Sequence, residues 1–276
     1  MLYFYLIAAG ALIPILNCFF DILNKGCSLW LVPLLYVVFV LMFIILHLVI
    51  LFGSFIFVKP DTPHGRAGKF YRRLVNISLP LLVTVARAKI KVSGMSPDDV
   101  PKDRRMLFVC NHQYDLDPVI MMTVFPENEI GFIGKKEIFE KMPLIGKGMH
   151  ALYGLPIDRE NNREAAKTII EASRIIKSDM ASIGLFPEGY TNKNDNGELL
   201  PFRNGAFKIA LKANAPIVVC AINNTRALKK NICRRSTKID FRIARVIYPE
   251  DYAGMNTTEL GDMVRKIMEE AYNEIR

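Results

Sequence analysis

Apolar positions crowd the start of this chain and then break into short, spaced runs. Residues 2–20 and 29–58 are two nearly unbroken apolar stretches, separated by a more polar segment at 21–28. Across residues 1–58 the readily ionisable side chains are Asp21, Lys25 and His47. A membrane-spanning helix needs about twenty apolar residues, so the pattern predicts an N-terminal transmembrane helical hairpin. A cleavable leader fits poorly, because residue 2 onward lacks a basic stretch and no small-x-small site precedes Asp21. Pro14 and Pro33 kink or end helices, which packed membrane helices tolerate. His47 falls inside the second stretch and is expected to be packed or hydrogen-bonded rather than functional.

Beyond residue 58 the rhythm changes. Residues 69–91 carry Leu74, Val75, Ile77, Leu79, Leu81, Leu82 and Val83 between basic flanks. This is an amphipathic helix with Pro80 as a kink, lying in the membrane interface or buried in the following domain. Short apolar runs at 89–92, 106–110, 130–133, 183–186, 216–222 and 239–247 read as strands. In the last, Ile239, Phe241 and Ile243 alternate with charges. Helical spacing covers 118–125, 161–178, 206–213 and 257–275. In residues 161–178 one face holds Ala165, Ile169, Ala172, Ile175 and Ile176. The alternation predicts an α/β fold, a central mixed sheet flanked by helices. Strand order does not follow from the pattern. The expected layout is an anchor at 1–58, a basic interfacial segment at 59–87 and an α/β domain at 88–276.

Charge refines this picture. The net charge of +9 falls entirely on residues 59–276, which hold 35 basic and 26 acidic residues of the chain's 36 and 27. Lys59, Arg66, Lys69, Arg72 and Arg73 follow the second apolar stretch and place that flank in the cytoplasm. A basic domain tethered to a bilayer suits anionic lipid or a phosphate-bearing substrate. No nucleic-acid motif is present, and the anchor argues against such a partner. The five cysteines are scattered without a zinc or disulfide spacing, and no two of the four histidines are helically spaced. No metal site is expected.

The chemistry concentrates in Asn111-His112-Gln113-Tyr114-Asp115-Leu116-Asp117-Pro118, directly after the strand at 106–110. Residues five apart diverge on a helix, but they can meet in a loop that opens one. An imidazole held by a carboxylate is a general base. Asp117-Pro118 also reads as a helix start, with Asp as N-cap and Pro at the first helical position. Three further segments follow in order: Pro156-Ile157-Asp158-Arg159, Phe186-Pro187-Glu188-Gly189 and Pro216-Ile217-Val218-Val219. Taken singly, Asp158-Arg159 is also a surface ion pair at a helix start, and Pro187-Glu188-Gly189 an ordinary turn.

In order and spacing the four segments resemble the four blocks of the glycerophospholipid acyltransferase family, across residues 85–250. The resemblance implies transfer of a fatty acyl group from acyl-CoA or acyl carrier protein to the free hydroxyl of a lysophospholipid, foremost lysophosphatidate. No cofactor is implied. In that reading His112 is the base, Asp117 steadies it, and backbone N–H groups near the helix after Asp117 hold the oxyanion. Asn111, Arg159, Glu188 and Gly189 would bind the acceptor, with Glu188 orienting Arg159, another cation or the acceptor hydroxyl. The third block departs from the family's Thr-Arg-Ser continuation: here it reads Tyr190-Thr191-Asn192. The missing arginine leaves Lys193, Arg203 or Lys208 to supply charge. Tyr114 also stands where a small residue is common. Lys135 and Lys136 suit an anionic donor or are simply a solvated surface. Another membrane-lipid alcohol as acceptor, or a silent lipid-binding protein, are the competing readings.

Overall fold

A computed structural model describes residues 2–20, 31–59, 68–193, 197–232 and 234–276. The polar break at 21–28, Arg66 and two of the cysteines, Cys27 and Cys233, lie outside them. The chain divides into two compact units, Met1–Val58 and Lys59–Arg276.

The first unit is a pair of helices, α1 (Leu2–Phe20) and α2 (Leu31–Ile56), packed against each other. Tyr5 on α1 meets His47 on α2, ring centroids 6.0 Å apart. Pro14 lies inside α1. Among the described residues one helix is long and apolar enough to cross a membrane, Val32–Ile56, with mean hydropathy 3.1. The apolar part of α1, Tyr3–Asn17, is shorter. The expected second span is thus met in length by α2, while α1 runs for 19 residues, Leu2–Phe20.

The second unit opens with α3 (Gly68–Val85) and β1 (Ala88–Gly94). There follow β2 (Leu107–Val109), α4 (Asp117–Val124), β3 (Ile130–Lys135), α5 (Lys136–Lys141), α6 (Pro143–Ala151), β4 (Leu155–Ile157) and α7 (Asn162–Lys177). The unit ends with β5 (Ser182–Leu185), α8 (Lys208–Ala213), β6 (Ile217–Asn223), α9 (Leu228–Asn231), β7 (Thr237–Ile247) and α10 (Thr257–Ile275). The strands form one seven-stranded sheet in the order β1-β7-β6-β2-β5-β3-β4. From β6 to β4 every pairing is parallel. β7 runs antiparallel to β6, and β1 runs parallel to β7. The sheet is thus mixed.

Burial explains the strand patterns. Every residue of β2 and β5 is buried, as helix-covered parallel strands require. On β7, Thr237, Ile239, Phe241 and Ile243 are buried while Lys238, Asp240 and Arg242 are not, the half-covered alternation of a strand near a sheet margin. α7 buries Ile169, Ala172, Ile175 and Ile176. Its N-cap, Asn161, accepts from the N–H groups of Arg163 and Glu164 at 3.1 and 3.2 Å. α10 starts with a capping box between Asn256 and Glu259, and buries Leu260, Val264 and Met268. It covers β6 and β7.

α3 packs on α4, α6 and β1 and buries Val75, Leu79 and Leu81, while Phe70, Ile77 and Val85 stay exposed. Arg72 is buried with them. Its guanidinium donates to the carbonyls of Ile130 and Leu152 at 2.8 and 3.3 Å, and burial lowers its pKa to about 10. Arg72 is therefore a fastening of this helix and not a charge on the membrane flank. Replacing Arg72 by Ala strips two buried carbonyls of a donor and is expected to cost ~2–4 kcal/mol. Melting of the solubilised protein should drop by about 5–15 °C. The exposed neighbour serves as control, since Arg73→Ala should leave the melting point nearly unchanged.

Candidate active site

In a parallel sheet the ligand crevice lies beyond the carboxyl ends of the strands. β2, β5, β3 and β4 run parallel, so the segments after them share one edge. Those segments carry His112, Glu188, Lys135 and Arg159, three of the four sequence blocks and one extra lysine.

The loop after β2 folds back on one carboxylate. Oδ2 of Asp117 lies 2.9 Å from Nδ1 of His112 and accepts from the backbone N–H groups of Gln113 and Tyr114 at 2.6 and 2.8 Å. Asp117 is 1% exposed, and its other oxygen has no partner. With Nδ1–H donating to Asp117, Nε2 of His112 is left with its lone pair. The expected N-cap role is corrected here. Asp117 is the first residue of α4, Pro118 the second, and no side chain caps the helix. The carboxylate turns back to the loop because three N–H groups converge there. This also engages the amides closest to His112, so neither Gln113 nor Tyr114 is free to hold an oxyanion.

The imidazole is fixed from below as well. Its ring stacks on Phe186, centroids 4.2 Å apart and planes at 15°. Phe186 stacks in turn with Phe132 at 5.8 Å. The backbone N–H of His112 donates to Oε1 of Glu188 at 2.8 Å, and Oε2 of Glu188 accepts from Leu200 N–H at 2.8 Å. His112 carbonyl accepts from Asn192 N–H at 2.7 Å. Both oxygens of buried Glu188 therefore accept from backbone, and among the described residues it makes no ion pair with Arg159. It ties the His112 loop to the segment after the third block.

Asn111 is likewise structural. Its amide donates to the carbonyl of Ile222 and accepts from the same residue's N–H, at 2.9 and 2.8 Å. The side chain is 2% exposed, and both its nitrogen and its oxygen are bonded to Ile222, so the expected acceptor contact is corrected: burial beside β6 directs this amide to backbone. Gln113 reaches the hydroxyl of Tyr272 on α10 at 2.8 Å. Cys110 and Cys220 are buried, and burial pushes both thiols up. Neither is exposed as a nucleophile.

A second cluster forms around Tyr190. Arg159, Arg203 and Lys135 place their charged groups 5.2, 5.2 and 5.5 Å from its ring centroid. Arg203 also donates to the Tyr190 hydroxyl at 3.1 Å and to the carbonyl of Arg159 at 3.3 Å. Burial lowers the pKa of Arg159, with Tyr190 opposing and Arg203 adding to the shift. Gly189 sits at φ +76°, and a Cβ there would lie 2.9 Å from Nε of Arg203. Glycine thus serves the turn and lets Arg203 lie across it. Lys193 is exposed and lies outside the cavity lining, so it is not brought to the cluster.

Between these groups and α7 lies a cavity of about 470 Å³, within the usual size of a ligand pocket. Ile157, Ile169, Leu185 and Phe186 wall it; Arg159 and Arg203 stand among its polar residues. Among the described residues, no group of His, Cys, Asp or Glu is arranged to hold a metal ion. Sequence reasoning missed Phe186 as the support of the imidazole, although its place before Pro187-Glu188-Gly189 was a usable signal. It also missed Leu200 and Ile222, which contribute backbone and leave no trace in residue type.

The family described as Acyltransferase matches residues 89–223. A 1-acyl-sn-glycerol-3-phosphate acyltransferase of Escherichia coli is 31% identical over 189 residues, 67% of this chain and 74% of that protein. This chain belongs to the acyltransferase family. A Haemophilus influenzae relative of the same description is 29% identical over 223 residues, covering 80% of this chain and 87% of its own. A Caenorhabditis elegans relative is matched over 59% of its own length. The crystal structure of the 1-acyl-sn-glycerophosphate acyltransferase of Thermotoga maritima superposes with a TM-score of 0.64 at 23% identity. It covers 85% of this chain and 93% of that one, which shows the common fold.

Within this acyltransferase, Glu188 offers a check on the loop. Burial raises its carboxyl above the usual range, against the N–H groups of His112 and Leu200. The folded chain therefore keeps this proton to a higher pH than the unfolded chain. From the ordinary value of about 4.3 up to the raised one, its contribution makes stability fall as pH rises. Glu188→Gln puts an NH2 against a backbone N–H and should cost ~1–3 kcal/mol. The variant should also lack that slope. Melting curves from about pH 4 to pH 7 should show the wild type's lead narrowing as pH increases.

Proposed function

We propose that this chain moves a fatty acyl group from a thioester donor to the hydroxyl of 1-acyl-sn-glycerol 3-phosphate, producing phosphatidate. The observation that carries the reading is the 2.9 Å contact between His112 Nδ1 and Asp117 Oδ2; His112 does not line the cation-edged apolar cavity but stacks on Phe186, which does. Nε2 of His112 takes the proton of the acceptor hydroxyl as its oxygen attacks the thioester carbonyl. The tetrahedral intermediate collapses with cleavage of the carbon–sulfur bond. The imidazolium returns the proton to the leaving thiolate, and Asp117 supports the positive charge between the two transfers. No enzyme acylation is required. Arg159 and Arg203 suit the acceptor phosphate, as a guanidinium fork matches two phosphate oxygens. The apolar cavity suits a hydrocarbon chain.

The donor is acyl-CoA or acyl carrier protein, both thioesters carrying anionic phosphate. Membrane residence fits a substrate and a product that live in the bilayer. α2 supports it by length and apolarity, and the basic residues Lys59, Lys69 and Arg73 argue for a cytoplasmic catalytic domain. Residues 59–87 would then lead from anchor to catalytic domain. Tyr190-Thr191 in the third block keeps one rival open, a different lysophospholipid as acceptor; competing acceptors in one assay separate the two.

His112→Ala should lower kcat by about 10²- to 10⁴-fold, measured as thiol release from acyl-CoA with lysophosphatidate. Asp117→Asn should also be severely impaired, because the amide cannot replace the charge and disturbs three donors. Full activity in His112→Ala would overturn the mechanism.

A further inference from the structure

Three cations, Lys135, Arg159 and Arg203, gather around the one tyrosine that follows Gly189. Among the described residues, Lys135, Arg159 and Arg203 have no carboxylate within ion-pair distance. Nη1 of Arg159 is buried without a hydrogen-bond partner. What faces all three is the ring of Tyr190, at 5.2 to 5.5 Å. Its hydroxyl accepts from Nη2 of Arg203. The ring is 45% exposed, so no packing demand explains a tyrosine here.

We propose that Tyr190 is the positioning residue of a three-cation clamp, Lys135, Arg159 and Arg203, that selects a phosphomonoester headgroup on the acceptor. The inference rests on the acyl-acceptor reading above and names what that site prefers. Three like charges repel when the site is empty. The negative face of an aromatic ring attracts each of them, and the phenol oxygen gives Arg203 a fixed partner. An arginine at residue 190 or 191 would add a fourth positive charge. Tyrosine instead gathers the cations already present and leaves their outward donors to the ligand. A phosphomonoester carries close to two negative charges at neutral pH, whereas a phosphodiester carries one. A cluster of three cations favours the former. Gly189 is part of the arrangement, since a side chain there would lift Arg203 away from the ring.

The test compares the full-length wild type with Tyr190→Phe and Tyr190→Ala. The first keeps the ring and removes the acceptor for Arg203; the second removes both. Tyr190→Ala should raise KM for lysophosphatidate about ten-fold, with kcat within about two-fold and KM for acyl-CoA unmoved. Tyr190→Phe should fall between. The preference for lysophosphatidate over lysophosphatidylglycerol, a phosphodiester, should shrink in the same order. Independently of turnover, glycerol 3-phosphate should raise the melting temperature of the wild type and do so less in Tyr190→Ala. Unchanged KM in Tyr190→Ala, or a fall in kcat with KM fixed, overturns the clamp. So does a wild type indifferent to glycerol 3-phosphate. A wild type that responds to glycerol 3-phosphate yet does not acylate lysophosphatidate would refute the acceptor reading and leave the clamp standing.

Discussion

One oxygen atom organises the reacting end of this molecule. Oδ2 of Asp117 draws in the His112 ring and two backbone N–H groups. Without that convergence the four residues after His112 would have no reason to coil tightly, and the imidazole would have no preferred tautomer. A buried carboxylate with three donors is compensated for its desolvation, and an unpaired one is not. The same atom therefore shapes the loop and leaves the lone pair on the far side of the ring. Glu188 repeats the device on a larger scale. Its two oxygens join the His112 backbone to Leu200, so a second acid in the site acts by holding backbone and not by touching a reacting atom.

The sheet supplies what the carboxylates cannot. Parallel strands β2, β5, β3 and β4 deliver their following segments to one edge. Residues 112, 135, 159 and 188 meet there despite their distance in sequence. Two groups of side chains then stand as neighbours along that edge. Phe186 stacks on the imidazole on one hand and walls the apolar cavity on the other. The cation cluster gathers around the residue just past Gly189. The imidazole and the cation cluster thus sit side by side without sharing a side chain.

Much of this was legible in the residues. The apolar runs at 106–110 and 216–222 became β2, buried throughout, and β6, buried from Ile217 to Ile222, because strands covered on both faces need no polar alternation. Ile239, Phe241 and Ile243 revealed the half-covered β7 by their period of two. The His112–Asp117 meeting was readable from a five-residue spacing in a loop. Less could be read where tertiary contacts decide. α5 and α6 escaped because six- and nine-residue helices, one holding Gly146 and Gly148, show too few turns for periodicity. β4 is three residues long and defined by its partner β3. Asn111 and Glu188 suggested ligand contacts by residue type, but their polar atoms are spent on Ile222, His112 and Leu200. Spacing does not record which backbone groups need a partner. Tyr190 stood out as a departure from a pattern, and only the folded arrangement put three cations around its ring.

The pairing of Asn111 with both backbone groups of Ile222 reaches further than one residue. It prolongs the sheet by a side chain, past the point where the main chain has already turned away. Such a graft removes the hinge that a loop would otherwise have at its root. The imidazole is consequently carried on a loop whose root is tied to the sheet itself, and any adjustment falls to the segments opposite.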